Sequence, residues 1–257
     1  MRHDYMLCQW MTDVGVTVLT PALFIQCLVD VYNAGFAYAT ANLIRSALAL
    51  SCRMWLVEQP FITDHPSVKA ALLGYRRMAA YRCTRRSPIR HGRLLHLIHA
   101  VQRWVPQALR GQVTLAYRLG YAALLRISEL LGIRCRHLKF VGRGVQILIP
   151  FSKTDQLGHG IHVLVRCPVI CQQLAQMVTG LPPDAFIFRI SSTLLNNVIR
   201  LTARDSRWTG YFSFHSLRHG KASDLWDATH SLPLVMAAGR WSSVAAARLY
   251  IHVTDTR

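Results

Sequence analysis

Three short runs rich in branched aliphatic residues, "HLKFVG", "VQILIP" and "IHVLVRC", fall between residues 137 and 167 of a chain whose pattern is otherwise helical. Runs of this length and composition, bounded by turn residues, read as strands. The turns between them are "RG" and "FSKTDQLGHG". Strands so close along the chain pair with their neighbours, which makes a small antiparallel sheet. The remaining pattern must cover that sheet with helices. The expected fold is therefore mainly α with a small antiparallel β-sheet, an α+β arrangement.

The helical signal is strongest in the first hundred residues. "PALFIQCLVDVYNAG" is amphipathic, with Thr20 as N-cap, proline in the first turn and an end near Gly35. "AYATANLIRSALALSCRMWLVEQP" reads as a longer helix that stops before Pro60, and "HPSVKAALLGYRRMAAYR" as a third. "RSPIRHG" interrupts the period and "RLLHLIHAVQRWV" resumes it. "QALRGQVTLAYRLGYAALLRISELLGI" holds two helices, or one broken near Gly120. After Pro168 the pattern is helical again to the tail. The expected division is a helical domain over 1–105 and a mixed domain over 106–257.

The formal net charge is +18, and a chain this basic points to a polyanionic partner. Nucleic acid is the first candidate and an anionic membrane surface the second. The charge is concentrated: between Asp64 and Glu129 there is no acidic residue but twelve Lys and Arg. Among them, Arg76, Arg77, Arg82, Arg85, Arg86, Arg90 and Arg93 are the candidate DNA-binding residues, because a guanidinium offers phosphate a planar fork of donors. The bland alternative is a solvated basic face.

Seven cysteines, an odd number scattered through the chain, do not make a disulfide framework. Reduced thiols in an intracellular compartment are the default. Cys167 and Cys171 lack a second Cys/His pair at finger spacing, so no metal is expected, and no cofactor. The apolar stretch 14–29 is short for a membrane span, contains Pro21 and ends at Asp30. The N-terminus has no signal-peptide pattern, and no membrane partner is expected.

The second half carries a series of phosphate-seeking side chains. Arg126 lies in "LLRISELLGI" with Glu129 one helical turn on, and Lys153 lies in the turn "FSKTDQLGHG". His215 and Arg218 share a helix face in "HSLRHG", Trp241 sits in "AGRWSS" and Tyr250 in "ARLYIHV". Each has a plain reading when taken singly. Arg126 can pair with Glu129 or Glu58, Lys153 can be solvated, Trp241 can be core, and Tyr250 by itself says nothing. Brought together, two arginines and a lysine would clamp a phosphodiester and neutralise charge building on phosphorus. A tyrosine oxygen can hold a covalent phosphate, and histidine can move its proton. No clustered acids of the kind that hold Mg²⁺ are present in this set.

In this order the set resembles the tyrosine recombinase, or phage integrase-like, family. "HSLRH" matches the family's H-x-L-R-H segment, and "AGRWSSVAAARLYIHV" matches the segment leading to the nucleophile. Tryptophan stands where many members have histidine, as in Cre-type recombinases. The matched segments span about residues 120 to 253; the helical first half matches in architecture, as a core-binding (SAM-like) DNA-binding domain.

The resemblance implies that Tyr250 attacks the scissile phosphate and forms a 3′-phosphotyrosyl link, while Arg126 and Arg218 hold the non-bridging oxygens. It makes Lys153 the general acid for the leaving 5′ oxygen, His215 a proton-transfer group and Trp241 a phosphate contact. Glu129 would buttress Arg126, and His219 would support the site. The implied partners are double-stranded DNA and further copies of the chain, a homotetramer on two DNA sites, with room for accessory DNA-bending proteins. The implied location is cytoplasm and nucleoid, or a nucleus. Two departures stand out. His137 occupies roughly the place where the family often has aspartate, and seven residues follow Tyr250, where many members dock a further helix onto a neighbour. Assembly would then use other surfaces, or the helix bearing Tyr250 would be exchanged in trans. The alternatives are a type IB topoisomerase-like enzyme and a non-catalytic DNA-binding protein of the same fold.

Overall fold

A computed structural model describes residues 2–54, 62–80, 86–150 and 160–252. The chain divides into two compact units, Met1–Thr84 and Arg85–Arg257. The division between these compact units falls ahead of the boundary expected at residue 105. Helix α5 (His91–Trp104) belongs to the second unit, because its apolar face of Leu94, Leu97 and Val101 shares a core with Val113, Leu115 and Leu119.

In the first unit the described helices are α1 (Arg2–Asp13), α2 (Pro21–Asn33), α3 (Tyr38–Met54) and α4 (Pro66–Ala80). The start of α2 follows the sequence signal: Thr20 Oγ1 accepts the Leu23 N–H at 3.2 Å, and Pro21 opens the first turn. Phe24, Leu28 and Val31 of α2 meet Ala41 and Ile44 of α3 and Val68, Leu72 and Tyr75 of α4 in one core. That core fixes the register of α4 and leaves Arg76 and Arg77 exposed.

The second unit continues with α6 (Gln107–Ala122), α7 (Ile127–Leu131), β1 (Leu138–Val141), β2 (Gly144–Ile149) and β3 (Ile161–Val165). It ends with α8 (Pro168–Val178), α9 (Ser192–Asp205), α10 (His215–Thr229), α11 (Leu232–Gly239) and α12 (Val244–Arg248). The strands pair antiparallel in the order β1-β2-β3, with Leu138 and Val163 both opposite Ile147. Alternation puts Val145, Ile147 and Ile149 of β2 into the core, as the period of a one-sided strand requires.

The helix break expected at Gly120 lies slightly later. Gly120 stays inside α6, where a Cβ would stand 2.4 Å from Cζ of Phe214, so its role is close approach rather than interruption. The chain turns instead at Leu124, which has φ 47° and sits in the left-handed region. His137 also has a local explanation: its Nδ1 accepts the Arg134 N–H at 3.1 Å and closes the turn before β1. Among the described residues no helix is long and apolar enough to cross a membrane.

Candidate active site

Helix α10 breaks the rule that a buried helical face is apolar. Ser216, Arg218, His219 and Ser223 are buried on it, and His215 is half-buried at its first turn. Charged and polar groups are this deeply buried when they are paired or functional. The Arg218 guanidinium donates to the carbonyl oxygens of Leu124 and Gly239 and lies 4.7 Å from the Trp241 ring. Its Nε is buried with no hydrogen-bond partner among the described residues, and so is Nε1 of Trp241. Burial, then the charges of Arg126 and Arg240, push the Arg218 pKa down to about 10, so the guanidinium stays charged.

Arg126 enters from the N-terminus of α7. Glu129, one turn on, folds back: its Oε2 accepts the Arg126 backbone N–H at 2.9 Å and its Oε1 accepts from the Arg126 guanidinium at 2.5 Å. Glu129 Oε2 also accepts from Arg240 at 2.8 Å. Burial works to raise the Glu129 carboxyl, but the Arg126 N–H and the two guanidiniums outweigh it and hold its pKa below the usual range. Three guanidiniums, those of Arg126, Arg218 and Arg240, thus gather around one carboxylate. Among the described residues the cluster is short of negative charge.

The segment after α11 folds Tyr250 back over α10. Tyr250 Oη is 3.0 Å from Nε2 of His215. Its ring stacks on His219, with centroids 4.5 Å apart, and packs 4.5 Å from Trp241. His219 Nδ1 meets His252 Nε2 at 3.1 Å, and the His252 N–H donates to Ser223 Oγ at 2.9 Å. Burial, followed by the charges of Arg86, Arg218 and Arg126, lowers His215 to about 4. Burial, with His215 and His252, lowers His219 to about 3. Both imidazoles are therefore neutral at neutral pH, and Nε2 of His215 stands at hydrogen-bond distance from the Tyr250 hydroxyl.

A polar cavity of about 350 Å³ opens beside this cluster, lined by Arg86, Arg126, Arg200, Asn196, Tyr211 and His215, among others. Three guanidiniums lining one cavity suit an anion with several oxygens. Among the described residues no three His, Cys, Asp or Glu side chains gather where they could hold a metal ion.

The structure brings together Arg126, Glu129, His215, Arg218, His219, Trp241 and Tyr250. Tyr250 reaches His215 of its own chain. Lys153, Arg82 and Arg85 lie outside the described residues. Arg86 is exposed at the cavity. Arg90 differs from the expectation of a phosphate-facing side chain: its guanidinium pairs with Asp224 and Asp227 and donates to the His252 carbonyl. Arg93 is half-buried, with its guanidinium 5.4 Å from both the Trp208 and Phe212 rings. Sequence reasoning missed Arg240, Arg200 and His252. Arg240 and His252 lie inside the quoted nucleophile segment, but no periodicity or spacing distinguishes them there.

The Phage integrase family model matches residues 89–257, about the extent of the second unit. No curated protein matches the chain significantly. Among solved structures, the XerH site-specific recombinase in a post-cleavage complex with palindromic difH substrate is similar at TM-score 0.65 and 18% identity, covering 90% of this chain and 68% of that one. A lambda integrase dimer bound to a COC′ core site matches at TM-score 0.60 and 20% identity, covering 93% and 66%. The Tn1549 transposon integrase in complex with a circular intermediate DNA matches at TM-score 0.60 and 12% identity, covering 92% and 82%. This chain thus spans about two thirds of the length of the first two. With the family's motifs assembled in one unit and its model matched over that unit, the chain belongs to the phage integrase family, the tyrosine recombinases.

Proposed function

We propose that this tyrosine recombinase cleaves and rejoins double-stranded DNA through Tyr250. The observation that carries the reading is the Tyr250 hydroxyl, 3.0 Å from a neutral His215, beside a group of guanidiniums that the described carboxylates do not balance. A phosphodiester in the adjoining cavity supplies the missing charge. The Tn1549 neighbour is in complex with DNA, the XerH neighbour with its difH substrate and the lambda integrase neighbour with a core site.

In this reading the Tyr250 O–H gives its proton to His215 Nε2 as the phenolic oxygen attacks phosphorus. The bond from phosphorus to the 5′ oxygen breaks, and Lys153 protonates the departing oxygen. The product is a 3′-phosphotyrosyl link and a free 5′-hydroxyl. Arg126 and Arg218 hold the non-bridging oxygens, where charge builds in the transition state. The buried Nε of Arg218 and Nε1 of Trp241 are donors in want of an acceptor, and a phosphate oxygen is one. Rejoining reverses the steps with a 5′-hydroxyl of the partner strand, so the bond energy is conserved without a nucleotide cofactor. The first unit serves as the core-binding domain, with Arg76 and Arg77 on DNA phosphates. Strand exchange between two sites requires four active sites, hence a homotetramer, and DNA-bending accessory proteins suit such an assembly.

The test is covalent trapping on nicked suicide duplexes without Mg²⁺ or ATP, resolved on a denaturing gel. Wild type should form an adduct that Tyr250→Phe loses while still binding DNA. Arg126→Ala should slow the adduct by roughly 10²–10³-fold, the scale for loss of a transition-state donor. An adduct with Tyr250→Phe would show that the nucleophile is a different residue.

A further inference from the structure

Arg240 is a non-glycine residue in the left-handed region, at φ 57° and ψ 44°, where it caps α11. Glycine would fill that position without strain. The side chain supplies what glycine lacks. Its guanidinium donates to the Ala123 carbonyl at 3.0 Å, the Leu124 carbonyl at 3.1 Å and Glu129 Oε2 at 2.8 Å. Its side chain is 8% exposed, and its guanidinium is already engaged by these three acceptors within the protein.

The partners show what the bridge connects. Glu129 holds Arg126 through Oε1 and Arg240 through Oε2. The Leu124 carbonyl accepts from both Arg218 and Arg240, and Leu124 is itself in the left-handed region. The next residue after Arg240 is Trp241, whose ring packs against Tyr250. Arg240 therefore sits where the two phosphate-seeking arginines and the nucleophile's segment meet. We propose that Arg240 is a positioning residue that sets Tyr250 against Arg126 and Arg218 by tying the Trp241 segment to Glu129 and the Leu124 turn. The inference rests on the reading of Tyr250 and Arg126 given above.

The test starts with a random-sequence library of nicked suicide duplexes, from which wild-type protein selects a cleavable site by covalent capture. Capture that Tyr250→Phe abolishes establishes the active-site reading on its own. On the selected duplex, Arg240→Gly removes the bridge while relieving the backbone. It should slow adduct formation at saturating DNA by about a hundredfold, the cost of a misplacement near 1 Å. The half-saturating DNA concentration should stay within about threefold, because ground-state binding is untouched. Combining Arg240→Gly with Glu129→Gln should be no slower than the slower single variant by more than about threefold, since the two act as one unit. A wild-type rate in Arg240→Gly, a loss confined to DNA affinity, or multiplying effects in the double variant would each overturn the proposal. Should Arg240→Gly fail to fold, Arg240→Lys decides: it keeps the charge but cannot serve three acceptors, so an undiminished rate overturns the proposal and a slowed rate at unchanged affinity supports it. Capture that Tyr250→Phe leaves intact would instead overturn the active-site reading, and this inference with it.

Discussion

His219 shows how one residue can be both buried and costly. Its imidazole is stacked on Tyr250 and hydrogen-bonded to His252, with Arg86 and Arg218 adding positive charge nearby. The folded protein holds it near pKa 3 and His215 near 4, against 6.5 for the free side chain. Between those values and 6.5 the unfolded chain binds protons that the folded one refuses, so stability falls as pH is lowered. The contribution is complete above about pH 6.5 and lost progressively toward pH 4 and 3. We predict that the urea midpoint drops from pH 7 to pH 5, and that His219→Asn reduces the drop. An equal drop in the variant would show that His219 does not carry the acid sensitivity. Arg218 shows the other side of burial. A charge this deep is tolerated because two carbonyls accept from it and an aromatic ring covers it, and removing such partners is costly.

Helix α10 is the element on which the site is built, and two glycines set its depth. Gly120 of α6 admits the Phe214 ring at the start of α10, and Gly220 admits the Ile89 carbonyl. A Cβ at Gly220 would stand 1.7 Å from that backbone oxygen, which cannot swing away as a side chain can. The adjoining strand-like segment is held there by the Ile89 N–H to Ser216 O at 2.9 Å and the Ser87 N–H to Tyr211 O at 2.9 Å. Gly220→Ala should therefore destabilise the second unit by roughly 3 kcal/mol, the upper range for forced overpacking, measured by urea unfolding. It should also displace Arg86 from the cavity, because Arg86 is carried by the same segment. A substitution that leaves the urea midpoint unchanged would mean that α10 is seated more loosely than its contacts indicate.

At the scale of the whole molecule, a net charge of +18 does not mean that every arginine meets a phosphate. Arg76 and Arg77 are exposed, whereas Arg90 is bound to Asp224, Asp227 and the His252 carbonyl. DNA affinity should fall steeply with salt, and Arg76→Ala should weaken the dependence of log K on log salt by about one unit on every sequence. Arg90→Ala should leave that slope unchanged and lower stability instead, because it leaves Asp224 and Asp227 without their cation. Titrations of both variants at two salt concentrations, with melting curves alongside, separate the roles. A reduced slope in Arg90→Ala would return it to the DNA-facing set.

Much of this protein was legible along the chain. Thr20 with Pro21, the alternation of β2 and the "HSLRHG" face are local signals, because caps, strand period and helix period depend on neighbours a few residues away. The ordered residues from Arg126 to Tyr250 pointed to one chemistry before any geometry was known. Other features came from contacts between distant segments. The seat of α5 in the second unit depended on which core its apolar face met, and the pattern of "RLLHLIHAVQRWV" is the same for either. The internal pairing of Arg90 needed two aspartates more than 130 residues away. Gly120 looked like a helix breaker because the ring that needs its missing Cβ lies 94 positions later, at Phe214. Arg240 had no signal, since its three acceptors come from another helix junction. Sequence thus determined the local elements and the inventory of reactive groups, while the tertiary structure decided which charges are paired inside the protein and which are left to meet an anion.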